Sequence, residues 1–596
     1  ADQPLIQVSD FSGPPLLTTP RTIAATGRLT ILETTEVTAS DIEGGDAVVD
    51  VDVSVSPQGP YKSGRNELEW TATDNIGNVA TLSQVLLIEP LVSISAGQQS
   101  GEGNAVNATL ALSGEAAVYP VDLTYEISGT SDENDHSGLT GSVSIESGVV
   151  GNISFEILAD DLTEGDESLV ITLTEANGAV LSDQIAHTVT ITEENVAPTG
   201  VIIVRQAGED RRVLSQTDGV VTVSVDARDA NPGDSLSFDW SETSTSLVLD
   251  AVDQSETSFD PSLPAEGQYR LRLIIADDAD AQGVTRLSKL VQIVDELEAL
   301  SATTDSDNDG INDVDEGRND TDGDGIEDYR DNNDDPTILP LASGSDDEVI
   351  STEAGLQLKL GDIGTISDKG GAVVTDEDIA LLLDETSAPL DNTDDTEFDH
   401  PLGLYDFKVD GLSVVGQAVR IILPLAEAIP ADAVYRKYTV TSGWQDFVED
   451  DLNMIGSASD AQGICPPIGD SYEEGLIEGR FCIQLTIIDG GLNDADGNEN
   501  GSISDPGGVG VLIPVVEPAA DAPVASDSDL GCFIATAAYG SDLTIAQHSW
   551  LREITRDLLT PEIPVVKHPR ETACLFALLT MVILVRYRRK IKEQIL

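Results

Sequence analysis

Apolar and polar residues alternate in short runs along most of this chain. Runs at 47–55, 67–72 and 84–89 are β-rich and are separated by Gly, Pro and Asn, which predicts short strands joined by turns rather than helices. The same style continues at 107–112, 121–128, 153–159, 168–174 and 187–192. It resumes at 219–225, 235–240 and 269–275, with Asn231-Pro-Gly-Asp234 as a turn. Three β domains are therefore expected, over 1–90, 91–195 and 196–297. Phe238 and Trp240 flank Asp239 and so share one sheet face, which places both in a core. A short acidic segment over 303–336 interrupts the pattern, and β-rich text returns over 343–515.

Charge sharpens this picture. The 596 residues carry 108 Asp and Glu against 30 Lys and Arg, a formal net charge of −78. Such a surface repels phosphate backbones, so no nucleic acid partner is expected, and divalent cations become the natural partners. The tail differs: from Cys532 onward nine basic residues face six acidic ones.

The acids are concentrated at 305–335, which holds fourteen of them. Asp305, Asp307, Asp309, Asp313 and Glu316 fall at positions 1, 3, 5, 9 and 12 of a twelve-residue loop, with Gly310 at 6 and the Ile311 carbonyl at 7. Asp320, Asp322, Asp324, Asp328 and Asp331 repeat the spacing fifteen residues later, with Gly325 and Ile326 in the matching places. Ca²⁺ takes about six to eight oxygens in flexible geometry, so alternating carboxylates on a curling loop can all turn inward. Gly permits the bend. Only Gly317, Arg318 and Asn319 separate the loops, too few for flanking helices. The unit resembles thrombospondin type 3 repeats, which implies Ca²⁺ bound by both loops; an acidic linker that binds nothing is the alternative.

Other segments carry resemblances of their own. Residues 64–78, GRNELEWTATDNIGN, resemble the end of a hyalin-repeat module of immunoglobulin type. Residues 155–173, FEILADDLTEGDESLVITL, with Glu102 before them and Glu193-Glu194 after, resemble a Calx-β domain. That likeness implies Glu102, Asp160, Asp161, Glu164 and Glu193 as further candidate Ca²⁺ ligands, the alternative being a solvated acidic loop. Residues 196–297 resemble a PKD- or cadherin-like sandwich in pattern. Gly403-Leu-Tyr-Asp-Phe407, Val434-Tyr-Arg-Lys-Tyr438, Gly443-Trp-Gln-Asp-Phe447 and the closing Asp489–Gly508 stretch resemble the bacterial choice-of-anchor U domain, which precedes a surface-anchoring signal. Within that stretch Asp494, Asp496, Asn498, Asn500 and Asp505 alternate oxygen side chains, either as another candidate Ca²⁺ site or as an Asx-rich turn.

Cys465 and Cys482 have sixteen residues between them and no further Cys or His close in sequence. A disulfide is expected, which suits an exported protein. A linker over 516–530 leads to Gly531-Cys-Phe-Ile-Ala-Thr-Ala-Ala-Tyr-Gly-Ser541, which resembles the CFI-box of bacterial C-terminal sorting regions and makes Cys532 a processing or lipid-attachment candidate. The apolar run 572–585 is short of the roughly 17 to 25 residues of a spanning helix. The basic cluster after it argues that it anchors the chain in the envelope membrane with its end inside.

The expected fold is therefore mainly β: tandem immunoglobulin-like β-sandwiches forming a stalk, a Ca²⁺-binding repeat linker, a further β domain and a C-terminal helical anchor. Five His and no recognisable nucleophile, zinc or phosphate motif argue against an enzyme. The expected function is a calcium-stabilised, surface-anchored bacterial protein in adhesion or extracellular matrix, with an extracellular protein or glycan ligand. The rival is a cell-envelope hydrolase or carbohydrate-binding protein whose catalytic module lies outside this chain. Salt adaptation of an exported protein is a third account of the acidity, but it would scatter the acids rather than set them at ligand spacing.

Overall fold

The computed structural model describes residues 5–8, 20–32, 37–43, 47–73, 79–159, 165–192, 195–231, 233–278, 283–345, 347–384, 388–459, 464–469 and 471–513. All lie in one unit, Ala1–Pro514. Period-two alternation becomes strands with one buried face. In Ala105–Leu112, Val106, Ala108, Leu110 and Leu112 are buried while Asn107 and Thr109 point away from the core.

The described residues up to 89 form one six-stranded sheet, ordered Leu5–Val8, Val37–Glu43, Ala47–Ser56, Gly64–Thr73, Val79–Glu89, Arg21–Ala24, with a two-stranded ribbon of Leu29–Thr30 and Tyr61–Lys62 beside it. Beyond that ribbon, this part shows no second sheet among the described residues. Its core is correspondingly small, built on Leu68, Trp70, Leu86 and Ile88. Trp70 spends its one polar atom on Gln84, Nε1 to Oε1 at 2.9 Å inside the core.

The next region is a true sandwich of two five-stranded sheets, centred on Glu167–Asn177 in one and Ala105–Leu112 in the other. The third is a sandwich of two four-stranded sheets, with Thr199–Gln206 and Val221–Arg228 facing Val284–Val294 and Gly267–Ala276. Trp240 is buried in its core with Phe238 packed against it, and Asp239 is exposed, as the spacing predicts.

The last β domain is larger, with a six-stranded sheet running from Ile338–Pro340 to Glu473–Glu474 and a seven-stranded sheet containing Gln357–Leu360, Leu404–Asp410, Ile503–Leu512 and Val434–Thr439. Cys465 and Cys482 form the expected disulfide.

The last domain packs back against the second and third regions. Arg420 of the last domain donates to Gln184 Oε1 of the second region at 3.1 Å, and Ser413 Oγ to the Gly97 carbonyl at 3.2 Å. Arg212 of the third region donates to the Leu360 carbonyl and Thr365 Oγ1, both at 2.7 Å, and Arg270 pairs with Asp362 at 2.7 Å. In a chain with few cations, these arginines serve to hold the last domain against both preceding sandwiches. Among the described residues no helix is long and apolar enough to cross a membrane. The expected anchor over 572–585 and Cys532 lie outside the described residues.

Candidate metal centre

The two acidic loops fold alike, contact for contact. In the first, Asp305 Oδ2 accepts from Gly310 N at 3.0 Å, Asp307 Oδ1 from Asp309 N at 3.2 Å and Asp309 Oδ1 from Ile311 N at 2.7 Å. In the second, Asp320 Oδ2 accepts from Gly325 N at 3.0 Å, Asp322 Oδ1 from Asp324 N at 3.1 Å and Asp324 Oδ1 from Ile326 N at 2.6 Å. Gly310 and Gly325 stand at φ of +100° and +95°, where a side chain would be strained.

Each carboxylate thus uses one oxygen to shape the turn. Five of the six remaining oxygens, Asp305 Oδ1, Asp307 Oδ2, Asp320 Oδ1, Asp322 Oδ2 and Asp324 Oδ2, are buried without a hydrogen bond, and Asp309 is exposed. One oxygen from each of Asp305, Asp307 and Asp309 lies within 4.8 Å of the others, and the same holds for Asp320, Asp322 and Asp324. Buried polar atoms are normally paired, and three anionic oxygens converging on one point fit a divalent cation with oxygen preference.

The last loop positions close the sites. The single helical turn Asp313–Glu316 returns Glu316, whose Oε2 is also buried and unpartnered, toward the first cluster. Burial, then Asp307, Asp309, Asp305 and Asp313, push its carboxyl up to about 7. The 3₁₀ turn Asp328–Arg330 delivers Asp331 beside the second cluster. Burial, then Asp334, Asp320 and Asp307 among its acidic neighbours, raise it to about 7. Asp322 is raised to about 8, by burial and then by Asp331 and Asp320. Asp324, with 0% exposure, is driven well up by burial and by Asp322, Asp331 and Asp320.

Position 9 has a different job. Asp313 Oδ1 accepts from Ser306 N at 2.9 Å. Asp328 accepts from Thr321 N at 2.7 Å with one oxygen and from Thr321 Oγ1 at 2.8 Å with the other. Asp328 therefore clamps its loop with both oxygens at the ligand position that the spacing gives it.

The second loop is built into the last domain. Leu360 N donates to the Asp324 carbonyl at 2.7 Å, Gln357 Nε2 donates to the Asp322 carbonyl, and Ile326 is 3% exposed in the domain's main core. Ile311, its counterpart, is 48% exposed. Asp320 and Asp322 also face a cleft of about 800 Å³ walled by all three neighbouring regions, including Gln98, Asn107 and Lys359.

The remaining candidates fare differently. Glu102 is half-buried at the end of the second sandwich, while Asp160, Asp161, Glu164 and Glu193 lie outside the described residues. Asp494 accepts from Ser504 N at 3.0 Å and Gly490 N at 2.9 Å, and Asp496 from Asn498 N at 2.8 Å and Asn500 Nδ2 at 3.1 Å. Asn500 Oδ1 accepts from Ser502 N at 2.9 Å, and Asn498 Nδ2 donates to the Asp496 carbonyl at 2.8 Å. These bonds form an Asx-rich turn. Asp505 does not belong to the turn: it pairs with Lys437 at 2.6 Å.

Sequence reading missed Asp229, Asp234 and Asp277, which also bring carboxylate oxygens within 4.8 Å of one another. They sit where the second and third regions meet, next to Ala230, whose carbonyl accepts from Gly101 N at 2.6 Å. Only Asp229 and Asp234 are close in sequence, so no spacing signalled the group.

No family model and no curated protein matches the chain. Among solved structures, an apo-form Calx CBD1 domain is similar at 24% identity over 18% of this chain and 99% of that one, with a TM-score of 0.16. A protocadherin GammaB4 extracellular domain shares 13% identity over 49% of this chain and 51% of that one, TM-score 0.17. Dimeric latent PorU from Porphyromonas gingivalis shares 12% over 49% and 34%, TM-score 0.18. At these scores none transfers a residue's role to this chain.

Proposed function

We propose that this chain is an exported, calcium-stabilised surface protein with an adhesive or matrix role and no enzymatic activity, held to the envelope through its 531–596 region. The observation that carries the calcium reading is the matched pair of loops, each turning unpartnered carboxylate oxygens onto one point. Ca²⁺ suits such loops better than Mg²⁺, which demands near-octahedral geometry and keeps its waters. Export is supported by the Cys465–Cys482 disulfide. On this reading the second ion stiffens the junction where the last domain meets the third region, so that external Ca²⁺ sets the rigidity of the surface the protein presents. Its ligand is an extracellular protein or glycan.

The test is to express the full chain on cells and treat them with external protease. Cleavage within 303–336 and loss of attachment in EDTA, both reversed by Ca²⁺, are expected. Protease resistance that ignores EDTA, or a chain shielded from external protease, contradicts the reading.

A further inference from the structure

Lys437 and Asp505 meet inside the core of the last β domain. Lys437 lies on Val434–Thr439 and Asp505 on the neighbouring Ile503–Leu512, antiparallel to it. Lys437 stands opposite Gly507, two residues along from Asp505, so both side chains share the inward face. Gly507 leaves the room for them: a Cβ there would lie 2.8 Å from Asp505 Oδ1. Lys437 is 3% exposed and Asp505 0%. Phe407 stands opposite Asp505 and Tyr405 opposite Gly507 on the next strand, Tyr435 reaches Asp505, and the buried carboxylates Asp494 and Asp406 lie near enough to act on the Lys437 charge.

Lys437 Nζ lies 2.6 Å from Asp505 Oδ1 and has no other acceptor among the described residues. Tyr435 OH donates to Asp505 Oδ2 at 3.4 Å. An ammonium normally seeks three acceptors, and burying one with a single carboxylate in reach is costly, even with the charges of Asp494 and Asp406 farther off. The pair Lys359 and Asp410 shows what an ordinary ion pair looks like here: 3.0 Å apart, with Asp410 also accepting from Ser502 at 2.6 Å.

We propose that Lys437 and Asp505 are joined by an intramolecular isopeptide bond formed by the protein itself. This is independent of the calcium reading. Burial pushes the Lys437 amine down and the Asp505 carboxyl up, each opposed by the other's charge. The neutral pair is the reactive one. The Nζ lone pair attacks Asp505 Cγ and the N–C bond forms. Tyr435 stabilises the charge developing on Oδ2, in the manner of an oxyanion donor. The Cγ–Oδ1 bond then breaks, and the Oδ1 hydroxyl takes one proton from Nζ and leaves as water. One amide and one water result, with no oxidant or reductant. The product replaces a buried ion pair with a neutral link between two strands of the anchor-proximal domain.

The test is the intact mass of the full chain, reduced and denatured, followed by peptide mapping. The wild-type chain should weigh one water less than its sequence, with the peptides carrying Lys437 and Asp505 recovered as one branched species. Lys437→Arg should restore the full mass and separate the peptides; if that variant does not accumulate, Asp505→Ala serves the same purpose. A wild-type chain at full sequence mass with separate peptides overturns the proposal, as does a link that persists in Lys437→Arg.

Discussion

The backbone amide of Leu360 donates to the carbonyl of Asp324 at 2.7 Å, so the second acidic loop continues the edge of a sheet in the last domain. A Ca²⁺ ion coordinated by Asp324 would therefore be tied directly to a folded core. Among the described residues the first loop makes no such bond to a sheet, and its position-7 side chain, Ile311, is half exposed.

That difference predicts unequal costs for one substitution. Ile326→Ala removes buried contacts in the main core and should cost about 2 to 5 kcal/mol. Ile311→Ala removes an exposed side chain and should stay within about 0.5 kcal/mol. Urea melts of the two variants measure this. Equal losses would show that the second loop is not integrated as described.

Asp324→Asn should act in opposite directions with and without metal. In EDTA, at a pH high enough to ionise it, Asp324 is a charge buried among like charges, so the substitution should raise the melting temperature there. In Ca²⁺ it weakens a ligand set and should lower it. A calorimetric scan in each buffer checks the crossing, and a shift of the same sign in both would remove Asp324 from the site.

The loop carboxyls also predict a pH dependence. Glu316, Asp322 and Asp331 are raised to about 7, 8 and 7 by burial and mutual repulsion. A carboxyl raised above its unfolded value of roughly 4 binds its proton more tightly in the folded chain. Its contribution is complete below about pH 4 and is lost as pH rises through the folded value. In EDTA, stability should therefore fall between about pH 4 and 8, whereas saturating Ca²⁺ requires the ionised forms and should reverse the slope over that window. Asp494 and Asp406, raised to about 8 and about 7 by burial first, titrate in both buffers. The difference between the two curves thus isolates the loops.

Reducing Cys465–Cys482 should cost on the order of 3 kcal/mol, the chain-entropy value for a loop of this size. Denaturant melts with and without reductant measure it. No change would mean that the loop is held by its other contacts.

The strands and both acidic loops were legible because their signals are local. Period-two alternation names a strand, and carboxylates at every second position before a Gly name a tight acidic turn. What was not legible is long-range. Asp328 reads as a ligand by position, and only the fold shows that it also binds Thr321 through both oxygens. Asp505 reads as the end of an Asx-rich turn, but Lys437, far away in sequence, claims it. Asp277 joins Asp229 and Asp234 only through the pairing of strands. The packing of the last domain on the earlier regions was hidden for the same reason: Arg212, Arg270 and Arg420 carry no mark in the sequence that their partners lie on another domain.

The most direct measurement is isothermal calorimetry of Ca²⁺ binding to the full chain, beside a variant carrying Asp305→Ala and Asp320→Ala. Saturable binding at or tighter than about 10⁻³ M, the range of extracellular modules, is predicted for the wild type, and its loss, together with the Ca²⁺-dependent rise in melting temperature, for the variant. No saturable binding at millimolar Ca²⁺, or binding unchanged in the variant, would contradict the account.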